Sequence, residues 1–171
     1  MKKTNPAKRT SRSNKPEKRT ERRKTMTDRD LAALACHAMT KAYAPYSRFQ
    51  VGAALLCADG TVYTGCNIEN AAYGPTVCAE RVAFFSAVRD GEREFVKIAV
   101  VGGLEGKIVS FTHPCGVCRQ VMREFCRDDF EILAFDGKTV RSSTLIEMLP
   151  DSFSPSDLSP SQSTKEDDPC A

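Results

Sequence analysis

Two short stretches carry residues that could do chemistry. Cys78-Ala79-Glu80-Arg81 puts a thiol, a carboxyl and a guanidinium into four positions at the head of an apolar helical run. Pro114-Cys115-Gly116-Val117-Cys118 is a Cys-x-x-Cys. Alone, the second stretch is open to three readings: a redox pair, half of a structural zinc site, or part of a catalytic one. A helix start suits thiolates, because its free N–H groups and dipole favour negative charge. Cys78 also lies at a predicted helix start. Two helix N-termini could therefore aim three thiolates at one metal and leave one coordination position open, the arrangement of a catalytic zinc. Glu80, two residues beyond Cys78, could reach that position without binding the metal. There it would accept a proton from water and return it to a leaving group. Arg81 and the helix dipoles would offset the charge of three thiolates. In the bland alternative Glu80 is only an acid in a helical first turn.

The elements that must position these groups are legible in outline. Thr27 or Asp28 caps a first helix, with Leu31, Leu34, Ala35 and Ala38 on one face. The run from Phe49 to Ile68 reads as two strands joined by the turn Ala58-Asp59-Gly60. A helix from Val77 to Val88 stops at Asp90-Gly91, and "VKIAVVGG" is a short buried strand. Cys115 to Cys126 is helical, "FEILAFD" is a strand, and Ser143 to Leu149 is a short helix. The order α-β-β-α-β-α-β-α predicts a mixed sheet covered on both faces.

The chain has 171 residues, 41% of them hydrophobic, enough for one domain with a proper core. Its net charge of +3 hides an asymmetry. Residues 1–25 carry eleven Lys/Arg against two Glu, and the remainder carries fourteen against twenty Asp/Glu. Residues 1–26 are expected to be a basic disordered extension, 27–158 the catalytic domain, and 159–171 a disordered polar tail. The extension suggests nucleic-acid binding or nuclear targeting, or else a solvated appendage. Met26 before Thr27 also suits a start. No apolar run reaches about 18 residues, so no membrane span is expected. Eight cysteines without a secretory leader point to a reducing, cytoplasmic setting and against a disulfide framework.

Five stretches in order, "PYSRFQVGAAL", "GCNIENAAYG", "CAER", "PCGVCRQ" and "LPDSFSPSDL", resemble the zinc-dependent cytidine deaminase family, in its short-chain, homotetrameric free-nucleoside branch. The deaminase signature of His or Cys before x-Glu, then Pro-Cys-x-x-Cys, is an established pattern. The resemblance covers roughly residues 28–158. It implies an α/β fold, a three-layer α/β/α sandwich with a mixed five-stranded sheet. It implies that Cys78, Cys115 and Cys118 bind one Zn2+ per subunit, that Glu80 shuttles protons and that Arg81 tempers the thiolates. Asn67 and Glu69 would hydrogen-bond the ribose hydroxyls, Phe49 would pack on the base, and Phe153 would reach a neighbouring subunit's site. The implied reaction is attack of zinc-activated water at C4 of cytidine or deoxycytidine, a step of pyrimidine salvage that releases ammonia.

Other readings stand beside this one: deamination of blasticidin S, editing of a polynucleotide, or a non-catalytic zinc-stabilised module. A structural site could take Cys66 or Cys126 as a fourth ligand. Tyr73 is expected to pack rather than to line a pocket. His113 is not expected to bind metal, and His37 is expected to be structural. Cys36, Cys57, Cys66 and Cys126 are expected in the core.

Overall fold

The computed structural model describes residues 26–158. The readings for residues 1–25 and 159–171 lie outside the described residues. Helix α1 spans Asp28–Met39, followed by strands β1 (Phe49–Cys57) and β2 (Val62–Cys66), helix α2 (Ala79–Arg89) and strand β3 (Phe95–Leu104). A two-residue β4 (Lys107–Ile108), α3 (Gly116–Phe125), β5 (Glu131–Phe135), β6 (Val140–Thr144), α4 (Leu145–Met148) and a 3-10 turn (Pro155–Leu158) complete the order. The sheet runs β2-β1-β3-β5-β6, with β4 pairing β3 beside this path. β3 and β5 pair in parallel, in the register Ile98↔Ile132, and the other strand pairs among the described residues are antiparallel. The mixed sheet and three-layer architecture are as the sequence implies. The strand count is corrected from five to six by the short β4.

Alternation along β1 builds both cores. Ala53, Leu55 and Cys57 face α2 and α3, where they meet Phe84 and Met122. Ala54 and Leu56 face α1, where they meet Leu31, Ala35 and Met39. A strand buried on both faces reads as a continuous apolar run, as Ala53–Cys57 does. Each fully buried Leu or Phe contributes about 1.5–3 kcal/mol. Met26, counted with the extension from sequence, packs against the α1 core.

Thr27 caps α1. Its hydroxyl accepts from the Asp30 N–H at 3.2 Å, and the Asp30 carboxylate accepts from the Thr27 N–H at 3.1 Å. The buried face of α1 is rotated from the expected one: Ala32 and Met39 are buried, whereas Leu34 stands 36% exposed. Gly52 explains the rotation. A Cβ there would lie 2.0 Å from the Ala35 carbonyl, so the helix backbone rests directly on β1 at small residues. The β1–β2 hairpin closes as expected, with Asp59 accepting from the Thr61 N–H at 2.8 Å and Gly60 at φ +91°.

Phe84 sits at the centre of an aromatic group, with ring centroids 5.0 Å from Phe95, 6.2 Å from Phe125 and 6.1 Å from Phe130. These contacts tie α2 to the C-terminal end of α3. Among the described residues no helix is long and apolar enough to cross a membrane.

Candidate active site

Cysteine occupies the N-cap of both α2 (Cys78) and α3 (Cys115). Both residues have extended backbones and neither makes a side-chain capping bond. A Ser, Thr or Asp would use its oxygen on the N–H groups of the first turn. The thiols are left to face each other. The Sγ atoms of Cys78 and Cys115 are 3.9 Å apart, and those of Cys115 and Cys118 are 3.6 Å apart. Two thiolates on a tetrahedral zinc with 2.3 Å bonds would stand roughly 3.8 Å apart. All three sulfurs lie within 4.8 Å of one another, and among the described residues they form the group that could hold a metal ion. The donor set and its spacing fit zinc.

The neighbours of the sulfurs are charged unequally. Donation from the Cys118 thiol, followed by contact with Arg81 and Cys115, brings Cys78 down to about 5. The Cys118 thiol is pushed up, first by its bond to Cys78 and then by burial. Without a metal, the proton therefore stays on Cys118 and Cys78 is the thiolate. Arg81 Nη2 lies 3.7 Å from the Cys78 Sγ and donates to the Thr76 carbonyl at 3.0 Å.

Glu80 is 3% exposed. Burial, reinforced by the Cys78 charge, raises its carboxyl to about 7. Such a group can hold or release a proton near neutral pH. It sits on the first turn of α2, where Gly65 lets the helix rest on β2. A Cβ at Gly65 would lie 2.2 Å from the Ala79 carbonyl.

Asn67 and Glu69 follow β2. The Asn67 side chain is buried and bridges β1: Oδ1 accepts from the Val51 N–H at 2.7 Å, and Nδ2 donates to the Phe49 carbonyl at 2.9 Å. Phe49, half-buried, lies over Gly102, where an added Cβ would come 2.9 Å from its ring. Glu69 accepts from the Tyr46 N–H at 2.8 Å, the Ser47 N–H at 3.3 Å and the Ser47 hydroxyl at 2.5 Å. Those bonds hold its carboxyl below the ordinary value, the Ser47 hydroxyl most.

Glu69 opens into a cleft of about 430 Å³ with Tyr46, Ser47, Tyr73 and Thr76. Tyr73 is 73% exposed, which corrects the expectation that it packs. It takes a left-handed backbone, φ +56°, and meets Tyr46 edge-on at 6.1 Å. Sequence reasoning missed Tyr46, Ser47 and Thr76. The signal available was the polar, Pro-broken loop "PYS" ahead of a strand. Thr76 joins the cleft to the thiols, because its carbonyl receives Arg81.

Phe153 is 59% exposed, on a segment held to α3 by Gln120 Nε2, which donates to the Phe153 carbonyl at 2.8 Å. His113 and His37 are exposed, and neither joins the cysteine group. Cys57 is buried in the core, and burial pushes its thiol up to about 12. Cys36, Cys66 and Cys126 are part-buried and lie outside the three-sulfur group, so neither Cys66 nor Cys126 supplies a fourth ligand. All seven cysteines among the described residues are free.

Residues 25–134 match the family described as the cytidine and deoxycytidylate deaminase zinc-binding region. A cytidine deaminase of Sporosarcina psychrophila is 50% identical over 130 residues, covering 75% of this chain and 93% of that protein. One from Halalkalibacterium halodurans is 47% identical over 125 residues, covering 72% and 92%. The crystal structure of a cytidine deaminase from Burkholderia pseudomallei superimposes with a TM-score of 0.69 at 47% identity, covering 75% of this chain and all of that one.

Proposed function

The chain belongs to the cytidine and deoxycytidylate deaminase family, and we propose that it hydrolyses cytidine and deoxycytidine to uridine and deoxyuridine, releasing ammonia. One observation carries the assignment of roles: a buried carboxyl, Glu80, on the same helical turn as one of three converging thiols. Cys78, Cys115 and Cys118 would hold one zinc ion. When bound, that ion supplies Lewis acidity that makes a water molecule nucleophilic near neutral pH.

Glu80 takes the proton from that water and passes it to N3 of the pyrimidine as oxygen adds to C4. It then carries the proton of the new C4 hydroxyl to the exocyclic nitrogen, which departs as ammonia and leaves a carbonyl at C4. A carboxyl with a value near 7 suits both directions of transfer. Arg81 offsets the negative charge of the thiolates. Asn67 still has one amide hydrogen to offer after bonding the β1 backbone, and Glu69 has its carboxylate oriented by Ser47. Both would receive the ribose hydroxyls, with Phe49 beneath the base.

The reading extends to a homotetramer in which Phe153, whose ring is exposed in the single chain, would enter a neighbouring site. Salt-dependent nucleic-acid binding that is lost on deletion of residues 1–25 would give that basic stretch an added role, and no such binding would leave it a solvated or targeting extension.

The test is ammonia release from cytidine by the zinc-loaded protein beside Glu80→Gln. Release that falls by about 10²–10⁴-fold in the variant, with zinc retained, supports the assignment. No release from either protein, with zinc in both, overturns it and directs the assay to blasticidin S and single-stranded RNA.

A further inference from the structure

Arg119 touches two backbone segments far apart in sequence. Its Nε donates to the Pro114 carbonyl at 2.8 Å, and its Nη1 donates to the Met148 carbonyl at 2.7 Å. Pro114 is buried and sits one peptide ahead of Cys115. Met148 is the last residue of α4, where carbonyls lack helical partners. Next along α3, Gln120 holds the Phe153 carbonyl. The helix whose first turn presents Cys115 and Cys118 thus grips the C-terminal segment at two places.

The chemistry of the donor matters. A guanidinium is a planar fork with donors at fixed angles. Bound to two carbonyls, it sets the placement of one segment relative to the other. An ammonium is a point donor, and a glutamine side chain is shorter. Losing Arg119 would leave two part-buried carbonyls without this donor, a cost that relaxation of either segment would relieve.

We propose that Arg119 is a positioning residue that couples the metal-holding stretch Pro114–Cys118 to the C-terminal segment Leu145–Phe153. The coupling rests on the zinc reading of the three cysteines. Its consequence is that metal retention and the placement of Phe153 change together. An empty cysteine group lets Pro114 shift, which loosens Met148 through the shared guanidinium. A displaced C-terminal segment in turn loosens the metal.

The experiment measures two things on the full chain: the rate of zinc transfer from the holoenzyme to a chromogenic chelator, and amide hydrogen exchange across 145–153 with and without zinc. Groups that orient metal ligands are worth 10–100-fold in metal affinity, so Arg119→Gln should release zinc about 10–100-fold faster than the parent. Arg119→Lys should fall between the two, and it carries the test if the glutamine variant does not fold. Arg89→Gln is the control, because Arg89 is exposed at the end of α2 and pairs with its neighbour Asp90, away from α3 and from 145–153. It should stay within about twofold of the parent. In the parent, stripping zinc should speed exchange in 145–153. In Arg119→Gln that segment should exchange fast in either state. Equal acceleration of zinc release by Arg119→Gln and Arg89→Gln overturns the coupling, as does exchange in the parent that ignores zinc. A parent that binds no zinc overturns the zinc reading and the coupling with it.

Discussion

Arg81 holds a guanidinium nitrogen 3.7 Å from the Sγ of Cys78, and the same nitrogen is anchored on the Thr76 carbonyl. The cation is thus fixed beside one sulfur. In the metal-free protein the cysteine group should lose its first proton near pH 5, read as thiolate absorbance in the ultraviolet. The folded value lies below the ordinary 9.0, so the stability this group contributes is lost as pH falls from about 9 to about 5. Arg81→Gln should raise the midpoint by roughly one pH unit or more. An unchanged midpoint would remove Arg81 from this role.

Glu80 works in the opposite direction. Its carboxyl is raised to about 7 from an ordinary 4.5. Between those values the unfolded chain is ionised there while the native one keeps its proton, so stability falls as pH rises. Glu80→Gln removes the titration. The metal-free variant should exceed the metal-free parent at pH 8 by roughly 3 kcal/mol, and this advantage should vanish below about pH 4.5. Urea unfolding at the two pH values measures it. A gap independent of pH would contradict the assignment.

Gly65 and Gly52 separate the site from the fold. Gly65→Ala drives a methyl into the Ala79 carbonyl and the Ala83 N–H, so the turn bearing Cys78 and Glu80 must lift. It should cost about 1–3 kcal/mol or more and lower zinc content and activity together. Gly52→Ala drives the same methyl into α1, at the Ala35 carbonyl and Met39 N–H. Its folded fraction should hold its full zinc complement. Zinc analysis of refolded protein tests the contrast, and a Gly65→Ala variant with parental zinc content would defeat it.

Glu69→Gln keeps the shape of the side chain but removes the negative charge that the Tyr46 and Ser47 N–H groups and the Ser47 hydroxyl hold. The loop and the proposed hold on the ribose should both loosen. KM for cytidine should rise about tenfold with kcat nearly unchanged, the pattern of lost uniform binding. A fall in kcat at constant KM would instead place Glu69 in the chemistry.

Much of the cysteine site was legible because its parts are local. Cys78 and Glu80 share one helical turn, and so do Cys115 and Cys118, so residue spacing alone places each pair together. Strands β1 and β3 were legible for a similar reason: burial on both faces demands continuous apolar runs. The edge of the sheet was not. β6, "VRSST", is polar and pairs only with β5, so neither an apolar run nor a clean alternation marks it. β4 has two residues, too few for any pattern.

The sequence by itself determined the ligand types, the acid beside them and the helix starts that carry them. Only the tertiary structure decided that Cys78 and Cys115, 37 positions apart, come within 3.9 Å. That convergence rests on α2 and α3 packing into one core through Ala79, Ala83, Cys118 and Met122, and on glycine letting α2 rest on β2. It also decided that Glu69 is steered by Ser47 and that Tyr73 opens into the cleft. Both follow from loop backbones whose partners lie in other loops, and hydrophobic period carries no information about such pairings.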